Sequence, residues 1–152
     1  MQEKIKALAK KYFSEFVEVR HHLHAHPELS YQEFETSKFV QGKLKEFGIP
    51  FTVIATTGVV GIIEGKNPNK RIVALRADMD ALPIKEENDI PYKSKNDGVM
   101  HACGHDCHTA MLLGAAKLLK AREGELRGCV KLLFQPAEEG GAGGKRMCDE
   151  GA

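Results

Sequence analysis

The first apolar pattern in the chain has the period of a helix. Its apolar positions recur at three- and four-residue steps between lysines and glutamates, and they are Ile5, Leu8, Tyr12, Phe16, Val19 and Leu23. This spacing predicts an amphipathic helix whose charged face is turned to water. The helix should stop near His26, because Pro27 follows and the residue before a proline avoids the helical conformation.

A second helical pattern follows in residues 30–48. Ser30 and Glu33 have the spacing of a capping box, in which each side chain binds the backbone N–H of the other at a helix start. The apolar positions after them are Phe34, Val40, Leu44 and Phe47. We therefore expect a helix that starts at this pair and ends at Gly48, with Pro50 beyond it.

The pattern then changes to short runs of β-branched residues, which are typical of strands. Three such runs occupy residues 51–55, 59–64 and 71–76. The last two are separated by the turn-forming sequence Asn67-Pro68-Asn69, so we expect them to pair as a hairpin.

The last third of the chain predicts a helix between two strands. Asp106 is a candidate N-cap for a helix over 107–122, and Gly128 leads into a continuous apolar strand over 129–134. Together with the strand at 71–76, these elements make a β-α-β unit with parallel strands and a right-handed crossover, so the fold class is α/β. The glycine-rich stretch 140–144 is predicted to be a loop.

Length and composition limit the function classes open to the chain. At 152 residues it has room for one ordinary domain or a piece of one. Lys and Arg number 22 against 21 Asp and Glu, a balance that gives no reason to expect nucleic-acid binding. No apolar run reaches the roughly 20 residues of a membrane helix, and a signal-peptide pattern is missing, so we expect a cytoplasmic protein without a membrane partner.

Three segments with metal-binding side chains should meet at one edge of the sheet. They are 76–83, which contains Asp78 and Asp80, 101–108, which contains Cys103 and His105, and 135–140, which contains Glu138 and Glu139. The first and last follow the two parallel strands, and ligands bind beyond the carboxyl ends of such strands. The middle segment precedes the connecting helix, which must begin at the same edge.

Each segment also has a structural interpretation. Aspartates after a strand are often turn formers, and paired glutamates before a glycine-rich loop are often simply solvated. Residues 101–108 are harder to explain without chemistry, because they hold three histidines and two cysteines. The four cysteines of the chain all lie in its last third, which favours thiols over a disulfide framework.

The donor types point to a transition metal. Cys103 and His105 are separated by one glycine, so in an extended segment their side chains point the same way and can bind one ion. Thiolate, imidazole and carboxylate together suit zinc, manganese or cobalt better than calcium or magnesium. Of two adjacent glutamates, one can bind metal while the other serves as general base, and spacing alone does not say which. We interpret Cys107 and His108 as supporting or packing residues.

Four motifs, in order, carry a resemblance to a known family. They are Arg20-His21-His22-Leu23-His24 with Pro27-Glu28-Leu29, then Arg76-Ala77-Asp78-Met79-Asp80-Ala81-Leu82-Pro83, then Met100-His101-Ala102-Cys103-Gly104-His105-Asp106, and finally Phe134-Gln135-Pro136-Ala137-Glu138-Glu139-Gly140. With these motifs, the whole chain resembles the peptidase M20 group of metallo-amidohydrolases. The matching branch contains aminoacylases, hippurate hydrolases, N-acetyl-diaminopimelate deacetylases and plant auxin-conjugate hydrolases.

The resemblance implies a three-layer fold with helices packed on a mixed, partly parallel sheet, as an incomplete zinc-peptidase-like catalytic domain. It also implies two divalent metal ions in the full-length enzyme, with metal bound by Cys103, His105 and Glu139. Glu138 is then the general base. The histidines of the first motif we interpret as surface and packing residues.

The resemblance bears on both aspartates of the second motif. Asp80 matches the acid that orients a ligand or the base in related branches, whose pattern is His-x-Asp-x-x-Pro. Asp78 stands where that pattern has histidine. The resemblance therefore makes both Asp78 and Asp80 catalytic candidates and leaves their division open.

The implied activity is hydrolysis of the amide bond of a small N-acyl amino acid. Family members are more than twice as long, commonly pair through a second domain, and supply at least two further histidine ligands. We therefore expect residues 1–152 to be the amino-terminal part of the catalytic domain, with the second, lid or dimerisation, domain absent, partial or no metal occupancy and little activity alone. A noncatalytic truncated module and a zinc-stabilised structural domain stay open as alternatives.

Overall fold

The computed structural model describes residues 2–152, in which two helices are followed by three strands and then by a helix, a strand and a last helix. The helices are α1 Gln2–Ala25, α2 Phe34–Glu46, α3 His105–Lys120 and α4 Gly143–Asp149. The strands are β1 Phe51–Ile54, β2 Gly58–Glu64, β3 Ile72–Asp78 and β4 Cys129–Gln135. The α/β fold class is confirmed.

The sheet is mixed and has the strand order β1-β2-β4-β3. β3 and β4 are parallel and joined by α3, with Ile72 opposite Cys129 and Asp78 opposite Gln135, so the predicted β-α-β unit is present. β2 runs antiparallel to both β1 and β4. The carboxyl ends of β3 and β4 therefore lie side by side at one edge.

The predicted hairpin of the second and third strands is wrong, because β4 lies between β2 and β3. Residues 129–135 are mostly apolar, and all of them are buried or partly buried, which fits a central strand with both faces covered. The tight hairpin joins β1 to β2 instead, through a three-residue loop between Ile54 and Gly58. Ala55 and Thr56 in this loop have φ angles of 49° and 73°, and left-handed residues are typical of short hairpin loops.

Helices cover both faces of the sheet. The larger core contains buried residues of α1, α2 and α3, packed against Val59, Ile63, Leu132 and Phe134 of the sheet. Val60 points to the opposite face, as strand alternation requires, and there it packs with Met147 of α4. The expected three-layer arrangement is therefore present.

Two predicted helix starts are corrected by the structure. α2 begins at Phe34 without a cap from Ser30 or Glu33, because these side chains bind groups far away in the chain. The Glu28 carboxylate instead accepts the first-turn N–H groups of Glu35 and Thr36, at 3.1 Å and 2.8 Å. α3 begins at His105, with Gly104 at the N-cap position in a left-handed conformation at φ 92°. Asp106 is thus no N-cap; it lies inside the first helical turn.

The glycine-rich stretch is only partly a loop. Gly143 and Gly144 belong to α4, and a Cβ on Gly143 would collide with the carbonyl oxygen of Pro136. Glycine therefore allows this helix to start directly against the end of β4. In the described part of the chain, no helix combines the length and apolar character needed to cross a bilayer.

Candidate metal centre

The three motif segments converge beyond the ends of β3 and β4. Asp78 ends β3, Glu138 and Glu139 follow β4 within four residues, and His105 opens α3. Ligand atoms of Cys103, His105 and Glu139 all lie within 4.8 Å of one another. The structure thus brings together the side chains that the sequence singled out.

His105 is oriented through its Nδ1 atom. This atom lies 2.8 Å from the backbone oxygen of Asp80, and since a carbonyl only accepts, Nδ1 must carry the proton. Its Nε2 atom faces carboxylate oxygens of Asp78 at 3.6 Å and of Glu138 and Glu139 at 3.8 Å each. These separations exceed hydrogen-bond lengths, so Nε2 is available to a ligand.

Burial and charge act in opposite directions on His105. Burial lowers the pKa of its imidazole, but the hydrogen bond to Asp80 and the negative charge of Asp78 outweigh this and raise the pKa to about 8. The surrounding carboxylates therefore favour positive charge at this position. A proton supplies that charge when no metal is bound.

Asp80 holds the backbone of the adjacent loop. It is 1% exposed, and its two carboxylate oxygens accept the backbone N–H groups of Glu138 and Glu139 at 3.0 Å each. The Ser30 hydroxyl donates to the same carboxylate at 2.6 Å. Burial alone would raise the pKa of Asp80, but the hydrogen bonds from His105, Ser30 and the two amides hold it well below its usual range.

Asp78 binds side chains instead of backbone. His108 Nδ1 donates to its Oδ1 at 2.7 Å, and Arg76 Nη1 lies 2.9 Å from its Oδ2. Ligand atoms of Asp78, His105 and His108 form a second group within 4.8 Å of one another. Sequence reasoning treated His108 only as a supporting residue, although its place three residues after His105 on α3 is a signal that both could face one site.

The residues present fit a divalent transition metal. Glu139 Oε1 is buried and has no hydrogen-bond partner in residues 2–152, which is costly unless a cation meets it. The hydrogen bond to Glu139, burial and the negative charges of Glu139, Glu138 and Asp78 raise the pKa of the Cys103 thiol. A cation would relieve this crowding of negative groups, and sulfur, nitrogen and oxygen donors together suit such an ion.

The first turn of α3 is fixed by a polar network that the sequence did not reveal. Buried His24 places Nδ1 2.7 Å from Asp106 Oδ2 and Nε2 3.0 Å from Glu86 Oε1. Arg20 Nε donates to the same oxygen of Asp106 at 2.8 Å. Because Asp106 adjoins His105, this network ties the candidate ligand to α1.

The other histidines at the end of α1 pack on aromatic rings. His21 stacks on Tyr92 with ring centroids 3.8 Å apart, and His22 stacks on Phe39 at 4.4 Å. Within the described residues, neither group of metal-ligand atoms includes a histidine of α1. Packing contacts therefore account for these side chains.

Comparison with known proteins relates this geometry to a family. The model of Peptidase family M20/M25/M40 matches residues 74–152. The IAA-amino acid hydrolase ILR1-like 5 of Arabidopsis thaliana is 53% identical over 149 residues, which cover 95% of this chain and 34% of that protein. The N-acetyl-L-cysteine deacetylase of Bacillus subtilis (strain 168) is 53% identical over 138 residues, covering 90% and 33% respectively.

A solved structure agrees with these relatives. The crystal structure of the Bacillus subtilis YXEP protein, described as a dinuclear metal binding peptidase from the M20 family, superposes with a TM-score of 0.87 at 45% identity. The match covers 93% of this chain and 40% of that one. The chain thus spans about a third of the length of the two relatives.

Proposed function

Because this chain belongs to peptidase family M20/M25/M40, we propose that its 152 residues form the amino-terminal part of the metal-binding catalytic domain of an amidohydrolase. The proposed substrate is a small N-acyl amino acid, whose amide bond is hydrolysed. Relatives named for N-acetyl-L-cysteine and for an IAA-amino acid support this class. Further ligands and a second domain belong, in this proposal, to the length of the relatives that these residues do not span.

The observation that carries the proposal is the meeting of unlike donors at one point. Cys103, His105 and Glu139 come from two segments of the chain, yet their ligand atoms lie within 4.8 Å of one another. Asp80 orients both segments. Its backbone carbonyl accepts a hydrogen bond from His105 Nδ1, and its carboxylate accepts the backbone N–H of Glu139. A site held in place before the ligand arrives is what metal binding requires.

In the proposed reaction, Cys103 Sγ, His105 Nε2 and Glu139 would hold zinc, manganese or cobalt. Such ions, when bound, supply Lewis-acid chemistry that polarises the amide carbonyl and lowers the pKa of water. The chain itself orients the imidazole through Asp80 and holds the two glutamates at the rim of the site.

The two glutamates differ in a way that suggests their division of roles. Glu139 is partly buried and its Oε1 lacks a partner in the described chain, which suits a ligand. Glu138 is exposed at the rim, where its carboxylate can meet water. Glu138 therefore accepts a proton from the attacking water and passes it to the leaving nitrogen.

A chimera tests this function, because the chain spans only about a third of its relatives. Residues 1–152 replace the matching part of the Bacillus subtilis N-acetyl-L-cysteine deacetylase, with which they share 53% identity over 138 residues. The metal-loaded chimera should hydrolyse N-acyl amino acids. Glu138→Gln should lower kcat by about a hundredfold or more and leave the metal content unchanged, because only the proton acceptor is lost.

The matched control is Glu87→Gln, which changes an exposed glutamate outside the site in the same way. It should leave kcat as in the unaltered chimera. Unchanged turnover by the Glu138→Gln chimera would remove the assigned base. A folded, metal-loaded chimera that cleaves no N-acyl amino acid would contradict the proposed activity itself.

A further inference from the structure

Glu33 is a fully buried carboxylate outside the set of candidate metal ligands. Its exposed fraction is 0%, and both of its oxygens are used. Oε1 accepts the backbone N–H of Ala137 at 2.9 Å, and Oε2 accepts the hydroxyl of Thr57 at 2.6 Å. Burying a carboxylate against neutral donors alone is unfavourable, so its position calls for an explanation.

The residue that Glu33 binds is held in an unusual conformation. Ala137 has a φ angle of 50°, in the left-handed region that residues with a Cβ disfavour, and it is fully buried. It immediately precedes Glu138 and Glu139. The direction of the chain at Ala137 therefore decides where both glutamates point.

Two buried carboxylates bind three consecutive N–H groups of this turn. Glu33 accepts that of Ala137, and Asp80 accepts those of Glu138 and Glu139. Ser30 supports the same arrangement, because its hydroxyl donates to Asp80 at 2.6 Å. The residues that look like a capping box thus have other partners: Glu33 binds the turn at Ala137 and Ser30 binds Asp80. Neither of them caps α2.

We propose that Glu33 is a positioning residue, which acts through the Ala137 N–H to set the direction of the Glu138 and Glu139 carboxylates. Its importance for metal binding rests on the proposed function. Its control of the turn does not, and the two can be measured separately.

The test compares two substitutions at Glu33 in the 152-residue chain. Glu33→Met fills similar space but accepts no hydrogen bond, so the buried Ala137 N–H is left unpaired. Glu33→Gln keeps an oxygen for that N–H, while its NH₂ group faces Thr57, whose hydroxyl can turn to accept. Glutamine should therefore preserve the turn, and methionine should not.

Hydrogen exchange of the Ala137 amide is the first readout, made without metal. It should speed up by about tenfold or more in Glu33→Met and stay within roughly threefold of wild type in Glu33→Gln. The second readout is cobalt titration of the chimera that carries residues 1–152, followed by thiolate charge-transfer absorption. Glu33→Met should weaken cobalt binding by about tenfold, because Glu139 is displaced.

Two further variants separate positioning from general loosening of the fold. Val40→Ala removes buried volume from α2 away from the turn, so it should lower stability without changing either readout. Ala137→Gly, added to Glu33→Met, should restore part of the cobalt affinity, because glycine adopts the left-handed conformation without a Cβ clash.

Several results would overturn the positioning role. They are wild-type exchange at Ala137 in Glu33→Met, the same changes in Val40→Ala as in Glu33→Met, or a glutamine variant as impaired as the methionine variant. If the chimera with unaltered Glu33 binds no cobalt, the proposed metal centre fails. The exchange measurement then decides the role of Glu33 in the turn by itself.

Discussion

Removal of the Asp80 carboxylate should destabilise both the fold and the candidate metal centre. Asp80→Ala removes the acceptor for the Glu138 and Glu139 amides and for the Ser30 hydroxyl. A hydrogen bond to a charged group contributes about 1.5–3 kcal/mol, and Ser30 is near enough to the surface to bind water instead. The two amides at the lower end of that range give a loss of about 3 kcal/mol.

Urea unfolding of the metal-free chain measures this loss, since the unfolding free energy extrapolates linearly to water. Asp80→Asn keeps one acceptor oxygen, so it should lose about half as much as Asp80→Ala. Asp89→Ala, at an exposed aspartate, is the matched control and should stay within about 0.5 kcal/mol of wild type. A loss below about 1 kcal/mol in Asp80→Ala would refute the reasoning.

The same substitution has a predicted pH dependence. Hydrogen bonds hold the folded-state pKa of Asp80 below its ordinary value of 3.8. The contribution of the ionised carboxylate to the free energy of unfolding is therefore present above that pH. As the pH falls below about 4 toward the folded-state pKa, this contribution to stability is lost, because the carboxylate takes up a proton. The stability difference between wild type and Asp80→Ala should therefore shrink in acid, and a difference that grows there would contradict the assignment.

Metal binding and backbone crowding give two further predictions. Metal affinity should rise by up to roughly a hundredfold per pH unit below about pH 8, because bound metal displaces protons from His105 and Cys103, whose pKa values are both raised. Calorimetric titration with zinc would show this, and a pH-independent affinity would contradict it. Gly143→Ala should cost more than about 2 kcal/mol in urea unfolding, because its Cβ collides with Pro136, whereas Gly124→Ala, which meets open space, should cost less than about 1 kcal/mol.

Local periodicity was enough to predict most of the elements. The apolar spacing in α1 and α3 and the mostly apolar run of β4 each predicted the correct element type, because the spacing of apolar residues follows the face that each element buries. The β-α-β unit then placed Asp78, His105 and Glu139 at one edge by topology. This part of the site could be predicted because few connections are possible for such a unit.

The rest depended on partners that are distant in sequence. Ser30 and Glu33 match a local capping motif, yet their partners Asp80 and Ala137 lie 50 and 104 positions away. Local spacing cannot rank a helix cap against such bonds, because the distant groups meet only in the folded chain. The error over the β2–β3 hairpin has the same origin, since the position of β3 depends on competition with β4 for the centre of the sheet.

The central claim is that Cys103, His105 and Glu139 bind one metal ion. X-ray absorption at the zinc edge, on the chimera that carries residues 1–152 and is loaded with one equivalent of zinc, tests it most directly. The account predicts one sulfur neighbour at about 2.3 Å beside nitrogen and oxygen neighbours, with the sulfur lost in Cys103→Ser. Zinc surrounded by oxygen and nitrogen alone in the unaltered chimera, with no change in Cys103→Ser, would contradict it.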